Sequence, residues 1–339
     1  MGTVQALSTL GFTDDLLDHL RSVSTRLDVV QQTCHNEKEV SAALAAYPDV
    51  EVLYTFDVPG DALDLAPRLR WLQLHSAGAN HLLEHPIMGS GVAITTVSGI
   101  HATPIAEYVF ASILAHRWRV SMWTHCQREG KWPKGRWNLF ARPELRDGTL
   151  GIVGYGSIGR EVARLARAFG MRILALRRST GRSKQGYASK DTGDPGGTIP
   201  EKFYPPDALH EMLSECDYVV VALPLTHETV HFIGEAELRA MKPTAYLVNI
   251  ARGAIVDEPV LVKALREGWI AGAGLDVFEQ EPLPADSPLW DLENVLISPH
   301  VAGFTPRYDE RAAELFAHNL GRYLSGESLL NLVDKARGY

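Results

Sequence analysis

Three polar side chains in the C-terminal half of the sequence have the residue types needed for acid–base chemistry. Arg252, Glu281 and His300 each follow a stretch that we predict to be a β-strand; the three strands are 246–249, 273–277 and 295–298. An arginine can bind a carboxylate through two parallel hydrogen bonds, and a histidine can exchange a proton near neutral pH. A glutamate beside an imidazole favours its charged form and fixes its orientation. Separately each is an ordinary loop residue, but together they predict a catalytic group.

A glycine-rich turn earlier in the chain predicts a dinucleotide site. The apolar run 150–153 ends in Gly154-x-Gly156-x-x-Gly159, a helical pattern follows at once, and a second apolar run at 173–176 completes a strand–helix–strand unit. The three glycines would allow the tight turn, the approach of a pyrophosphate, and close helix packing. The start of the helix would face the phosphates with free N–H groups. Alone, the motif also fits a plain turn in any α/β domain.

The bulk composition restricts the partners and the compartment. The chain has 339 residues with 33 basic and 41 acidic side chains, a net charge of -8, which argues against nucleic acid or an anionic membrane. Its three cysteines are widely spaced, form no metal-binding pattern and indicate a reducing compartment. No signal-peptide pattern and no membrane-spanning apolar run is visible. We expect a cytoplasmic protein that binds a small molecule and no metal.

The order of the apolar runs predicts two α/β domains with parallel sheets. Predicted strands in the first domain are 4–7, 27–30, 50–54, 72–74 and 92–95, with helices at 14–22 and 37–46 between them. Six strands are expected from residue 150 onwards, the complement of a dinucleotide-binding domain. A long helix with Thr103 as N-cap would connect the two domains. A last helix, from Thr305 and Pro306 to Gly326, would return to the first domain.

Two other segments break this regular pattern. Residues 179–206 are rich in glycine and proline without periodicity, so we predict a long surface loop. The stretch from Trp123 to Trp137 is rich in tryptophan and basic residues. Such a stretch is more typical of an interface than of a catalytic element, and it predicts a homodimer.

Several segments together resemble one known family. Segments 249–253, 275–282 and 298–303 are similar to signatures of the D-isomer-specific 2-hydroxyacid dehydrogenases, and segments 143–154 and 223–229 also fit. The resemblance extends from about residue 76 to residue 331 and is to a glyoxylate or hydroxypyruvate reductase-like member. It implies a Rossmann cofactor domain, residues 99–305, inserted into a flavodoxin-like substrate domain, residues 1–98 and 306–339. The two domains would close over a cleft.

The resemblance also implies a role for each side chain of the site. Arg252 would bind the carboxylate and carbonyl of the substrate, and His300 would donate a proton to the oxo oxygen. Glu281 would keep His300 protonated, and Asp276 would contact the nicotinamide amide. A loop that follows a predicted strand of the first domain would bind the substrate carboxylate through its backbone N–H groups; its residues are Ser76, Ala77, Gly78 and Ala79.

The cofactor would be held along the carboxyl edge of the second sheet, by Gly154, Gly156, Ser157, Ile158, Gly159, Arg177, Arg178, Ser179, Leu223, Pro224, Thr229, Ile250, Ala251, Asp276, Ala302 and Gly303. Members that use NAD carry an acidic residue at the end of the second strand, where it holds the ribose hydroxyls. This chain has Arg177 and Arg178 there, and guanidinium groups suit a 2′-phosphate. We therefore predict NADP, with NAD as the alternative.

The predicted activity is hydride transfer between NADPH and a small 2-oxo acid, such as glyoxylate or hydroxypyruvate, to give the D-2-hydroxy acid. Within the family the alternatives are D-lactate, 3-phosphoglycerate, formate and phosphite dehydrogenases. Glu281 argues against the formate enzymes, which usually pair their histidine with glutamine. A different alternative is a dinucleotide-sensing corepressor, because such relatives keep the three polar residues.

Overall fold

The chain folds into two compact α/β units. The computed structural model describes residues 2–178 and 186–338. One unit comprises residues 1–101 and 305–339, and the other comprises residues 102–304. The second unit is therefore inserted into the sequence of the first. No helix in the part of the chain that the structure describes is long and apolar enough to cross a membrane.

The first unit is built around a parallel sheet. Its strands are β1 (Val4–Ser8), β2 (Leu27–Gln31), β3 (Val52–Thr55), β4 (Trp71–Leu74) and β5 (Ala93–Thr95), with helices α1 (Asp14–Ser22), α2 (Glu37–Ala46) and α3 (Ala62–Leu65) between them. Within the described residues the strand order is β2-β1-β3-β4-β5, the order of flavodoxin-like folds. Apolar clusters cover both faces of the sheet, as is usual for parallel strands.

The second unit contains the rest of the elements except the last helix. Its strands are β6 (Thr149–Val153), β7 (Arg172–Leu176), β8 (Lys202–Tyr204), β9 (Tyr218–Val221), β10 (Tyr246–Asn249), β11 (Gly272–Leu275) and β12 (Val295–Ile297). Its helices are α4 (Ala102–Trp118), α5 (Val120–Arg128), α6 (Arg136–Phe140), α7 (Ser157–Ala168), α8 (Leu209–Glu215), α9 (Glu235–Ala240) and α10 (Glu258–Glu267). All pairings between these strands are parallel. A doubly wound sheet in each unit confirms the predicted fold class.

The prediction of six strands in this unit was wrong. Within the described residues, the second unit has a seven-stranded sheet in the order β12-β11-β10-β9-β6-β7-β8. The additional strand, β8, lies inside the segment predicted to be a loop and pairs with β7. It has only three residues and begins with a lysine, so it shows no detectable apolar period. Part of the predicted loop, residues 179–185, lies outside the described residues.

Two helix starts also differ from the prediction. Helix α4 begins at Ala102, so Thr103 lies within its first turn instead of capping it. The last helix, α11 (Tyr308–Ser325), begins after Arg307, beyond the predicted Thr305–Pro306 cap. Its end is as predicted, because Gly326 has a φ of 71°, the left-handed conformation that terminates helices.

Helix α11 joins the first unit through buried polar contacts. The Asn319 side chain is buried, donates to the carbonyl of Leu330 at 3.1 Å and to Oε1 of Gln73 at 3.4 Å, and accepts the Leu330 N–H at 2.8 Å. Gln73 Oε1 also accepts from the Thr95 hydroxyl at 2.8 Å. A buried amide must have such partners to be tolerated. The network therefore fixes the C-terminal helix against strands from the start of the chain.

Helices α5 and α6 present aromatic side chains to solvent. Trp132, in the connection between them, and Trp137 are both 80% exposed, and Trp123 is 43% exposed. The Arg136 guanidinium lies 5.4 Å from the ring centre of Trp132. Exposed aromatic groups on this scale are unusual on an isolated surface.

Candidate active site

His300 and Glu281 form a hydrogen-bonded pair after two neighbouring strands of the second unit. The Nδ1 atom of His300 lies 2.7 Å from Oε2 of Glu281, and the other oxygen of Glu281 accepts the N–H of Phe278 at 3.0 Å. His300 has a φ of 54°, which is uncommon for a residue with a side chain. Strain of this kind persists only where surrounding contacts enforce it.

Those contacts come from the buried carboxylate of Asp276. One oxygen accepts from the Ser298 hydroxyl at 2.5 Å and the Val301 N–H at 2.9 Å, and the other accepts the Ala302 N–H at 2.9 Å. The Ser298 hydroxyl also bonds to Tyr108 of α4 at 2.6 Å. Asp276, predicted to contact the nicotinamide, thus binds the loop that carries the histidine on both sides of it.

Arg252 lies directly after β10, in a turn held by Asn249. The Asn249 side chain accepts the Ala251 N–H and donates to the carbonyl of Arg252, both at 3.1 Å. Burial lowers the pKa of the Arg252 guanidinium, and the charge of Glu281 opposes this shift. Because arginine begins from a very high pKa, it stays cationic near neutral pH. The structure therefore brings Arg252, Glu281 and His300 to one edge of one sheet.

The turn after β6 has the shape that a pyrophosphate requires. Gly154 has a φ of 109°, and a Cβ there would lie 2.6 Å from the carbonyl oxygen of Ala222. A Cβ on Gly159 would collide with the carbonyl of Gly154, so the helix packs closely against the strand. A Cβ on Gly156 would meet nothing within 4 Å, which leaves that backbone open. Helix α7 begins at Ser157, followed by Ile158, and its N–H groups suit an anion.

The remaining predicted cofactor residues follow other strands at the same edge. Thr229 is buried after β9, where its hydroxyl donates to the carbonyl of Pro224 at 2.7 Å and accepts the N–H of Thr226 at 2.8 Å. It therefore holds the turn that contains Leu223 and Pro224. The other members of this set lie after β10 and β12; they are Ile250, Ala251, Ala302 and Gly303.

At the end of β7 the two predicted arginines have different surroundings. The Arg177 guanidinium lies 3.7 Å from the ring centre of Phe203 on β8. Arg178 forms an ion pair with Glu228, with Nη2 and Oε2 2.5 Å apart. Ser179, the third predicted contact, lies outside the described residues. The Arg178 guanidinium is therefore bound to a carboxylate in this structure.

The predicted substrate loop belongs to the first unit, directly after β4. The Ser76 hydroxyl donates to the carbonyl of Gly78 at 2.7 Å, and the Ser76 carbonyl accepts the N–H of Val97 at 3.0 Å. Ala79 is buried, whereas Ala77 is exposed. These bonds shape the loop, and its contact with a substrate stays a prediction.

Comparison with known proteins supports the same interpretation. The model of the family "D-isomer specific 2-hydroxyacid dehydrogenase, NAD binding domain" matches residues 110–302. A glyoxylate reductase of Korarchaeum cryptofilum is 40% identical over 285 residues, 84% of this chain and 81% of that protein. This chain belongs to the D-isomer-specific 2-hydroxyacid dehydrogenase family. The family predicted from the sequence motifs is thereby confirmed.

Two further relatives of this dehydrogenase cover most or all of its length. A glyoxylate reductase of Thermococcus gammatolerans is 40% identical over 294 residues, 85% of this chain and 84% of that protein. A solved D-isomer-specific 2-hydroxyacid dehydrogenase of Xanthobacter autotrophicus, in complex with NADPH and MES, is 27% identical. It covers 100% of both chains with a TM-score of 0.79. The dehydrogenase fold therefore spans the whole chain.

Some side chains that shape the site of this dehydrogenase were not predicted. Tyr108 lies 190 positions before its partner Ser298, so no local pattern indicates the contact. Phe203 lies in the unpredicted strand β8, and Glu228 follows β9 in a turn. Ser298 lies in the segment 298–303, which resembles the family, and its position two residues before His300 could have indicated that it contributes to the site.

Replacing Asp276 by asparagine should loosen the histidine loop of the dehydrogenase. The amide has one acceptor oxygen, so one of the Val301 and Ala302 N–H groups would face an NH₂ group. We expect the free energy of unfolding to fall by about 1.5–3 kcal/mol, since hydrogen bonds to a charged group are lost, and turnover to fall with it. Urea unfolding measures the first effect. Asp286→Asn, on an exposed loop, is the control, and equal stability of the two variants would contradict the interpretation.

Proposed function

We propose that this dehydrogenase reduces small 2-oxo acids of the glyoxylate or hydroxypyruvate type to D-2-hydroxy acids, with NADPH as the preferred reductant. The observation that carries the proposal is the His300–Glu281 hydrogen bond of 2.7 Å, at the sheet edge that also carries Arg252 and the dinucleotide turn. Two relatives about 40% identical to this chain are glyoxylate reductases. They support the class of substrate.

In this reaction His300 is the proton donor. Its Nδ1 atom is bonded to Glu281, so Nε2 is the nitrogen that gives the proton to the oxo oxygen. Glu281 stabilises the cation that must be present before the transfer and holds the ring in place. The loop fixed by Asp276 keeps that geometry constant during turnover.

Arg252 binds the substrate carboxylate and polarises its carbonyl. Its position in a turn braced by Asn249 limits the freedom of its backbone, so little ordering remains when substrate binds. When bound at the glycine turn, the nicotinamide dinucleotide supplies the hydride for the carbonyl carbon. The second unit would hold the cofactor.

Removal of the imidazole tests this assignment. His300→Ala should lower kcat for glyoxylate reduction by about 10²–10⁴-fold, because a general acid is lost, while NADPH binding stays nearly unchanged. Arg252→Ala should raise KM strongly and also lower kcat. Steady-state kinetics and a fluorescence titration of NADPH measure these effects.

His210→Ala is the matched control, because His210 forms a hydrogen bond of 2.7 Å with Glu237 at the protein surface. It should keep the kcat of the unaltered enzyme. A His300→Ala enzyme with unchanged kcat would exclude the histidine as the acid. If the unaltered protein reduces no 2-oxo acid but binds NADPH, the corepressor-like alternative is favoured.

The choice of NADP depends on Arg177. It stands where the ribose-binding acid of NAD-dependent members is expected, and a guanidinium there attracts a 2′-phosphate. At Arg178, Glu228 would compete with a 2′-phosphate, because the two side chains form an ion pair. A solved relative that is 27% identical was crystallised with NADPH.

Reversing the charge at this position should reverse the cofactor preference. Arg177→Asp would repel the 2′-phosphate and offer an acceptor to ribose hydroxyls, so the ratio of kcat/KM for NADPH over NADH should fall below one. Since a hydrogen bond to a charged group contributes about 1.5–3 kcal/mol, a fall of at least tenfold is expected. Arg178→Ala should change the ratio much less. A preference for NADH in the unaltered enzyme would disprove NADP as cofactor.

We also propose that the exposed tryptophans of α5, α6 and the connection between these helices form the interface of a homodimer. Light scattering at micromolar concentration should give twice the 37.3 kDa of one chain. The double variant Trp132→Glu and Trp137→Glu should be monomeric, because it places charges at the centre of an apolar contact. Trp290→Glu is the control, since Trp290 is also exposed but lies elsewhere in the sequence. A monomeric unaltered protein would contradict the proposal.

A further inference from the structure

We propose that Phe203 holds the Arg177 side chain in the position that recognises a 2′-phosphate, and is therefore a positioning residue that determines cofactor preference. This inference rests on the proposed preference for NADP. It assigns a role to strand β8 (Lys202–Tyr204), the element that the sequence pattern did not reveal.

The contact between the two side chains is close. The Arg177 guanidinium carbon lies 3.7 Å from the centre of the Phe203 ring, so the cation rests against the face of the aromatic group. A guanidinium on a ring face directs its N–H donors outward from its edge, which is the geometry in which it binds a phosphate. The backbone N–H of Arg177 also donates to the carbonyl of Tyr204 at 3.0 Å. Both backbone and side chain of Arg177 are thus set by β8.

The ring of Phe203 is itself fixed by the glycine turn. Tyr155, between Gly154 and Gly156, lies edge-on to Phe203 with ring centres 5.2 Å apart and an interplanar angle of 81°. Such edge-to-face pairs are stabilising beyond the area they bury. Three groups therefore pack in series from the turn to the guanidinium: Tyr155, Phe203 and Arg177.

Tyr155 is anchored by a buried aspartate from the segment before β8. Its hydroxyl donates to Oδ2 of Asp194 at 2.7 Å, and burial raises the pKa of the phenol far above its usual range, so it remains a donor. Asp194 also accepts the N–H groups of Thr198 at 3.1 Å and Ile199 at 2.9 Å. The carboxylate thus joins the turn to the chain that leads into β8.

Helix α7 contributes two further contacts to this segment. Arg160 donates to the carbonyl of Asp194 at 2.5 Å, and its guanidinium lies 5.0 Å from the centre of the Tyr155 ring. Glu161, fully buried, accepts the N–H of Gly193 at 2.6 Å. The N-terminus of α7 also suits the pyrophosphate. The same helix would therefore help to position both the pyrophosphate and the 2′-phosphate of the cofactor.

The expected contribution of the ring follows from the freedom of arginine. A long, flexible side chain loses rotamer entropy when it binds, and a stack that already restricts it reduces that loss. Cation–π contacts of this kind correspond to about a 3- to 30-fold effect on binding. The effect should fall on ligands with a 2′-phosphate and spare those without it. A merely structural role for Phe203 would weaken both alike.

Binding of 2′,5′-ADP and of 5′-AMP, which differ only by the 2′-phosphate, to the full-length protein, measured by calorimetry, tests this role without turnover. Phe203→Leu should weaken 2′,5′-ADP about 3- to 30-fold and leave 5′-AMP nearly unchanged, while Phe203→Tyr should keep the affinity of the unaltered protein. Trp269→Leu is the matched control, because it removes a stack of the same chemistry, with Arg239 at 3.5 Å. It should change neither affinity.

The outcomes separate the inference from the cofactor assignment. If the unaltered protein binds 2′,5′-ADP no better than 5′-AMP, the proposed NADP preference fails. If Arg177→Ala weakens 2′,5′-ADP but Phe203→Leu does not, NADP stands and the role of Phe203 is disproved. Equal weakening of both ligands by Phe203→Leu also disproves it. Phe203→Met, with a similar volume and no ring, replaces the leucine variant if that variant is unfolded, and the same results decide.

Discussion

The buried carboxylate of Asp276 is the interaction on which the rest of the site depends. Removing an ionised group from water costs several kcal/mol unless hydrogen bonds replace its hydration. Here the replacements are the hydroxyl of Ser298 and the N–H groups of Val301 and Ala302. The loop that brings all three to the carboxylate is the one in which His300 has a φ of 54°. The unfavourable backbone conformation of His300 is tolerated because the loss of these hydrogen bonds would leave a buried carboxylate without partners, which costs more free energy.

The same physical rule shapes the other turns at this edge of the sheet. A polar side chain near the end of a strand binds the backbone of the loop that follows, as Asn249 does around Arg252 and Thr229 does after β9. These internal hydrogen bonds fix the backbone of the loops. Groups that are fixed before the substrate arrives need little reorganisation during the reaction, which is the main source of electrostatic catalysis.

The structure could be predicted from the sequence wherever residues close together in the chain determine it. Continuous apolar runs predicted the buried strands, and side chains just after them predicted where Arg252, Glu281 and His300 meet. Prediction failed where a contact joins distant segments or an element is very short. Strand β8 takes its structure from pairing with β7, and Tyr108 reaches Ser298 across 190 positions. Neither is encoded in a local period, because the determining partner lies elsewhere in the chain.

During synthesis, the first unit cannot be completed until the ribosome has made helix α11, long after the strands of its sheet. Asn319, the hydrogen-bond partner of Gln73, is synthesised 246 positions later. At about 5–20 residues per second, the interval between the synthesis of these two residues is on the order of ten to fifty seconds. Through that interval the sheet that should receive α11 keeps its apolar face uncovered, a state in which chaperones commonly bind nascent chains. The inserted unit consists of consecutive residues and can fold in the meantime. The cofactor-binding half would therefore be the first part of the enzyme to exist.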